Sequence, residues 1–189
     1  MPNKLNIINM ALLLAGEGQI EDYDNTEKPA MTAKAFFDLC LSSLTSRHDW
    51  SWSIKLVILS PDTIVPDFGY SARFLLPDDY NHYVQNIIED PEEESIDFRV
   101  FGEYLHYSAD IIELKYSCNI QNVIIMSAMA AEALTYLLAS KLAAALSSSP
   151  EKPNTYLEGL YERRLAAAIV QDPSEMGIGY VDNRWETIR

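Results

Sequence analysis

Apolar residues recur at helical steps near both ends of the chain and crowd into short strand-like runs in its middle. Near the start, Leu5, Ile8, Leu12 and Ala15 share one helical face while Asn6 and Asn9 interrupt the run, which predicts a helix over residues 4–15 closed by Gly16. A second helix is expected over residues 27–47, with Thr26 placed to cap it and Pro29 tolerated in its first turn. Along it Ala30, Phe37, Leu41, Leu44 and His48 recur at near-heptad intervals, with Ala33 and Cys40 alongside. Such a stripe needs a partner helix.

From Trp50 to Tyr116 strand formers dominate and turn residues punctuate at short intervals. Strands are expected over residues 51–59, 70–76, 83–88, 98–100, 104–107 and 111–116, as one antiparallel set. Pro77 has no N–H to offer a ladder, so it ends the second, and Asp78-Asp79 favour a turn before the third. Phe101-Gly102-Glu103 reads as a three-residue hairpin loop, with Gly102 free to take a positive φ. The run Glu89-Asp90-Pro91-Glu92-Glu93-Glu94 is too acidic for a strand and reads as an exposed loop.

Two further helices, rich in Ala and Leu, are expected over residues 122–146 and 154–170, joined by Ser147-Ser148-Ser149-Pro150. In the second, Tyr156, Leu160, Arg163 or Arg164, and Ala167 lie at helical steps, with Glu158 and Glu162 on a solvated face. Past Asp172-Pro173 the periodicity stops. Neither helix pair covers its own apolar surface, so the expected fold class is α+β: a four-helix bundle formed by the N- and C-terminal helix pairs, with an inserted antiparallel β lobe and an irregular C-terminal tail. The corresponding segments are 1–49, 50–118, 119–172 and 173–189.

A chain of 189 residues with 48% hydrophobic and 22% charged residues has the composition of one globular domain, or one with an appendage, and not of a disordered segment. Cys40 and Cys118 lie in apolar patterns without metal-ligand spacing, which favours buried thiols. The first apolar run is broken by Asn6 and Asn9, so a helix is favoured over a secretory signal and the chain is expected to stay in the compartment where it is made. Residues 123–146 are long enough to cross a bilayer but carry Glu132, Lys141 and several hydroxyls, so a core or interface helix is expected and no membrane partner. Net charge is −14, from 28 acidic and 14 basic residues, and no basic stripe is present. Ordinary DNA binding, which rests on Lys and Arg neutralising phosphates, is therefore disfavoured; a surface past which DNA slides should itself lack cationic anchors.

Signals for enzymatic chemistry are sparse. His48, His82 and His106 fall in separate segments outside any HExxH pattern, and neither a nucleophile elbow nor a phosphate loop occurs. Asp78-Asp79 and Glu92 to Glu94 offer carboxylates for glycoside cleavage, although adjacent acids in loops are more often solvated surface. Trp50 and Trp52, two apart on an expected strand, would share one face, as a core or interface pair more readily than as a stacking platform. No catalytic residue, cofactor or metal site is expected.

The order "INMALLLAGEGQIED", "RHDWSWSIKLVILS", "YSARFLLPDDYNHYVQNI", "FRVFGEYLHYS", "ELKYSCNI" and an Ala/Leu-rich helix pair resembles the head-to-tail adaptor proteins of short-tailed bacteriophages, often called tail tubular protein A. The similarity runs from about Ile8 to about Ala168 and rests on the order and spacing of the motifs together. It implies a non-enzymatic virion protein at the head-tail junction: a homo-oligomeric ring, typically of twelve subunits, beneath the portal protein and leading to the tail nozzle protein. DNA leaves through its centre without sequence-specific binding. Twelve copies at −14 each would place acidic charge at the channel, effective only within about 8 Å at physiological salt. The subunit is expected either to be monomeric in isolation, assembling on the portal, or to self-associate. In the family, extended C-terminal segments engage the portal, which makes Ile178, Tyr180, Arg184, Trp185, Ile188 and Arg189 the expected partner-binding residues. Two alternatives stand beside this reading: an adaptor that also cleaves bacterial wall glycan, as proposed for some relatives, and a cytoplasmic oligomer outside phage biology that self-associates through the small residues of 128–145.

Overall fold

A computed structural model of the chain describes residues 2–67, 69–86, 98–146 and 151–172. Four α-helices and six strands follow in the order α1 (Lys4–Ala15), α2 (Lys28–Thr45), β1 (Ile54–Leu59), β2 (Ala72–Leu75), β3 (Tyr80–Asn86), β4 (Arg99–Phe101), β5 (Tyr104–Tyr107), β6 (Ile112–Cys118), α3 (Ala128–Leu146) and α4 (Glu151–Val170). The class is mixed α+β. Two compact units divide the chain, one made of Met1–Ala33 with Ile125–Arg189 and the other of Lys34–Ile124.

In the first unit α3 packs against both α1 and α4. The Asn3 side chain caps α1 by accepting from Leu5 N at 3.0 Å. Its end is equally local: Gly16 has φ 88°, and the N–H groups of Gly16 and Glu17 return to the carbonyls of Leu13 and Leu12. Ile7, Ile8, Ala11 and Leu12 are buried. Asn9, an interruption in the apolar run, clasps the following loop: its Nδ2 donates to Ile20 O and its Oδ1 accepts from Ile20 N, both at 2.9 Å.

The helix expected over residues 122–146 is divided. A 3-10 turn at Val123–Ile125 precedes α3, and Ser127 Oγ accepts from Ala130 N at 3.2 Å, a cap that starts a new helix. Helix α3 buries residues around most of its circumference, from Ala130 and Leu134 to Leu138 and Ala143, as the central helix of its unit must. Helix α4 begins three residues earlier than expected, and its buried face is Leu157, Tyr161, Leu165 and Ala168, one position on from the expected steps; Tyr156 is exposed.

Helix α2 crosses the division between the units. Ahead of it Asn25 Oδ1 accepts from Glu27 N at 2.8 Å, an Asx turn that leads the chain into the helix. Ala30, Ala33, Phe37, Cys40, Leu41 and Leu44 are buried along its stripe, and His48 lies beyond its end.

The strands of the second unit form two antiparallel sheets, ordered β1-β6-β3 and β2-β5-β4, in place of the single set expected. Leu-Pro-Asp-Asp is the corner at which the chain passes from one sheet to the other: Leu76 N donates to Glu103 O beside β5, and Tyr80 N then turns back to Pro77 O and opens β3. Phe101 pairs with Tyr104, so the hairpin turn is the two residues Gly102-Glu103, with Gly102 at φ 60°. The sheets share one core of Phe74, Leu76, Leu105, Ile112, Leu114, Tyr116 and Cys118. Residues 51–53 form a turn and not the start of β1, which moves Trp50 and Trp52 off the sheet. They still stack, with centroids 5.3 Å apart and planes at 19°, and Trp50 is fully buried with Nε1 donating to Leu44 O at 2.9 Å.

Candidate interaction surfaces

Helix α1 is apolar beyond the face it buries. Met10, Leu13 and Leu14 are exposed, and Met10 and Leu14 join Ile7 and the N-terminal Pro2 and Asn3 along one wall of a groove. The opposite wall comes from α3: Ala128, Ala131, Glu132, Thr135 and Tyr136. The groove has a volume of about 450 Å³, and Glu132 is the charged residue in its lining. Glu132 Oε1 also accepts from Arg164 Nε at 3.2 Å, which ties the first turns of α3 to the last turns of α4.

In the second unit, β1 is an edge strand whose Leu56 and Ile58 are about two-thirds exposed, opposite Lys115 and Glu113 of β6. On the β2-β5-β4 sheet, Arg73 lies 4.3 Å over the Tyr104 ring and pairs with Asp62 at 2.7 Å, while Phe101 meets His106 edge-on at 5.2 Å. The Arg73 hydrogen bond holds the Asp62 carboxyl below its ordinary range.

The polar corner after Pro77 decides the standing of Asp79. Its carboxylate is shared by the Lys55 ammonium and by the Tyr116 hydroxyl, the latter at 2.9 Å. Burial pushes the Asp79 carboxyl up, but these two hydrogen bonds outweigh it and the net shift is downward. A glycosidase acid must hold its proton near neutral pH, and Asp79 is moved the other way. Burial, reinforced by Asp79, raises Tyr116; burial likewise raises Cys118. Nearby, His82 Nε2 lies 2.6 Å from Asp49 Oδ1, and the buried hydroxyls of Ser53 and Ser117 meet at 3.1 Å. Both cysteines are buried thiols outside any disulfide, and among the described residues no group of His, Cys, Asp or Glu is arranged to hold a metal.

The expected partner-binding residues Ile178, Tyr180, Arg184, Trp185, Ile188 and Arg189 lie outside the described residues, as do Glu92 to Glu94 and the 147–150 connector. Sequence periodicity did not single out the α1–α3 groove. Its signal was present as surplus: Met10 and Leu14 are apolar positions that the buried face of α1 does not use. A scan of family models finds none that matches the chain, and a search of curated proteins finds none similar to it.

Proposed function

We propose that the chain is a structural head-to-tail adaptor of a short-tailed phage, forming a ring between portal and tail nozzle through which DNA is ejected. The observation that carries this reading is the insertion topology: segments from both ends of the sequence share one helical unit, and the strands lie in a separate unit between them. That is the order of parts the sequence resemblance implies. In this reading α2 completes a four-helix bundle with α1, α3 and α4, and the exposed apolar residues of the sheet edge, Leu56 and Ile58, are covered by neighbouring subunits. The C-terminal segment engages the portal through Ile178, Tyr180, Arg184, Trp185, Ile188 and Arg189, and acidic side chains keep the channel from holding phosphate.

The Asp79 carboxylate is taken up by the Lys55 ammonium and the Tyr116 hydroxyl, a structural engagement that favours this over a wall-cleaving adaptor. The test is to mix the purified chain with the portal protein encoded beside it and to image the particles. Rings of the chain seated on the portal are the expected result; no association, or turnover of peptidoglycan lost on neutralising a single carboxylate, would replace the adaptor reading.

A further inference from the structure

We infer that the groove between α1 and α3 is the docking site for the C-terminal segment of the same chain, residues 173–189. The inference stands independently of the adaptor reading. Its first support is where the described chain ends. Helices α3 and α4 pack together, and the Arg164–Glu132 pair fixes which ends meet: the last turns of α4 lie beside the first turns of α3. Asp172 follows Arg164 by eight residues, about 12 Å at helical rise, and is itself buried. The chain therefore leaves α4 at the end of the unit where Ala128 and Glu132 line the groove.

The second support is reach and chemistry. Residues 173–189 are seventeen in number and span about 55 Å when extended, against interaxial spacings of about 8–10 Å between packed helices such as α4, α3 and α1. They carry Ile178, Tyr180, Trp185 and Ile188, apolar groups that match an apolar lining with a single carboxylate. A tethered segment needs little intrinsic affinity to occupy such a site, because its effective concentration is in the millimolar range for a short linker.

Hydrogen exchange on the full-length chain tests this. Backbone amides of 173–189 should exchange at least about tenfold more slowly than in a variant carrying Met10→Asp and Leu14→Asp, with the protection of α3 and α4 unchanged between the two proteins. Both substituted residues are exposed, so the double variant is expected to fold, and the α3 and α4 amides report whether it has. Protection should be independent of protein concentration. Exchange of 173–189 at free-peptide rates in the unaltered chain overturns the inference. Protection that survives the double substitution, or that grows with concentration, also overturns it, the latter by assigning the groove to a second copy.

Discussion

The Tyr116 hydroxyl donates to Asp79 Oδ1 at 2.9 Å and so fastens the buried face of β6 to the corner through which the chain changes sheets. Lys55, opposite Tyr116 in the β1–β6 register, reaches the other oxygen of the same carboxylate. One aspartate thus joins β1, β6 and the Leu-Pro-Asp-Asp turn. Replacing it with Ala leaves the half-buried Tyr116 hydroxyl and the Lys55 ammonium without that acceptor, and should cost about 1–2 kcal/mol at neutral pH in urea unfolding.

The same contact sets an acid limb. Asp79 titrates lower folded than unfolded, so its contribution is complete above the unfolded carboxyl range and is lost as pH falls through the folded value. The stability gap between the unaltered chain and Asp79→Asn should therefore be constant near pH 7 and narrow below about pH 4. Lys55 is raised, chiefly by its hydrogen bond to Asp79, so its share is present through neutral pH and fades only as alkaline pH passes the folded lysine value. Urea titrations at pH 3, 5, 7 and 9 would read the Asp79 limb, with the Lys55 share intact across that range; a gap unchanged at pH 3 would show that the Asp79 charge is not what Asn removes.

Trp50 and Trp52 stack on each other but are held differently, and the difference is measurable. Trp50 is fully buried and donates to Leu44 O, whereas the buried Trp52 Nε1 finds no acceptor among the described residues. Trp50→Phe should cost about 2–3 kcal/mol, from lost packing and the lost hydrogen bond to Leu44 O, which keeps its bond from Arg47 N. Trp52→Phe removes an unsatisfied donor along with some contact area and should cost under about 1 kcal/mol. Equal losses in denaturant titrations would contradict the assigned hydrogen bond.

What could be read along the chain is what is decided locally. Helix α1 matches its expected bounds because both ends are set by neighbours in sequence, Asn3 and Gly16. The α2 stripe was legible for the same reason, since one period runs from Ala30 to Leu44. The two-sheet arrangement was not, because pairing joins residues far apart, such as Leu59 with Ile112, and nothing near either one specifies the other. The face of α4 was displaced by one position because its Ala and Leu residues leave little contrast around the helix, and only the packing with α3 selects Leu157, Tyr161, Leu165 and Ala168. The groove required knowing that α3, and not another element, lies along α1.

Gly16 gives a clean measure of a backbone constraint. Its φ of 88° lies in the left-handed region, and a Cβ added there would meet nothing within 4 Å, so substitution strains the backbone without a clash. Gly16→Ala should lower stability by about 1–2 kcal/mol. Loss of α1 helicity beyond its last turn, seen as amide exchange spreading to Ile8, would mean that Gly16 does more than close the helix.

Portal capture joins the proposed function to the proposed docking of residues 173–189. If the adaptor reading holds, alanine at Ile178, Tyr180, Arg184, Trp185, Ile188 and Arg189 together abolishes capture of the chain by its portal in a pull-down, while thermal unfolding keeps a single transition at nearly the same midpoint. Docking in cis makes the opposite prediction for the groove. A segment held about nine-tenths of the time against α1 and α3 is competent for the portal only one-tenth of the time, and apparent affinity falls by that fraction. Freeing it with Met10→Asp and Leu14→Asp should then tighten portal binding by up to about tenfold, although neither substitution touches the segment itself. Weaker capture by the groove variant would instead place α1 in the portal contact, and unchanged capture would mean that the groove does not restrain the segment.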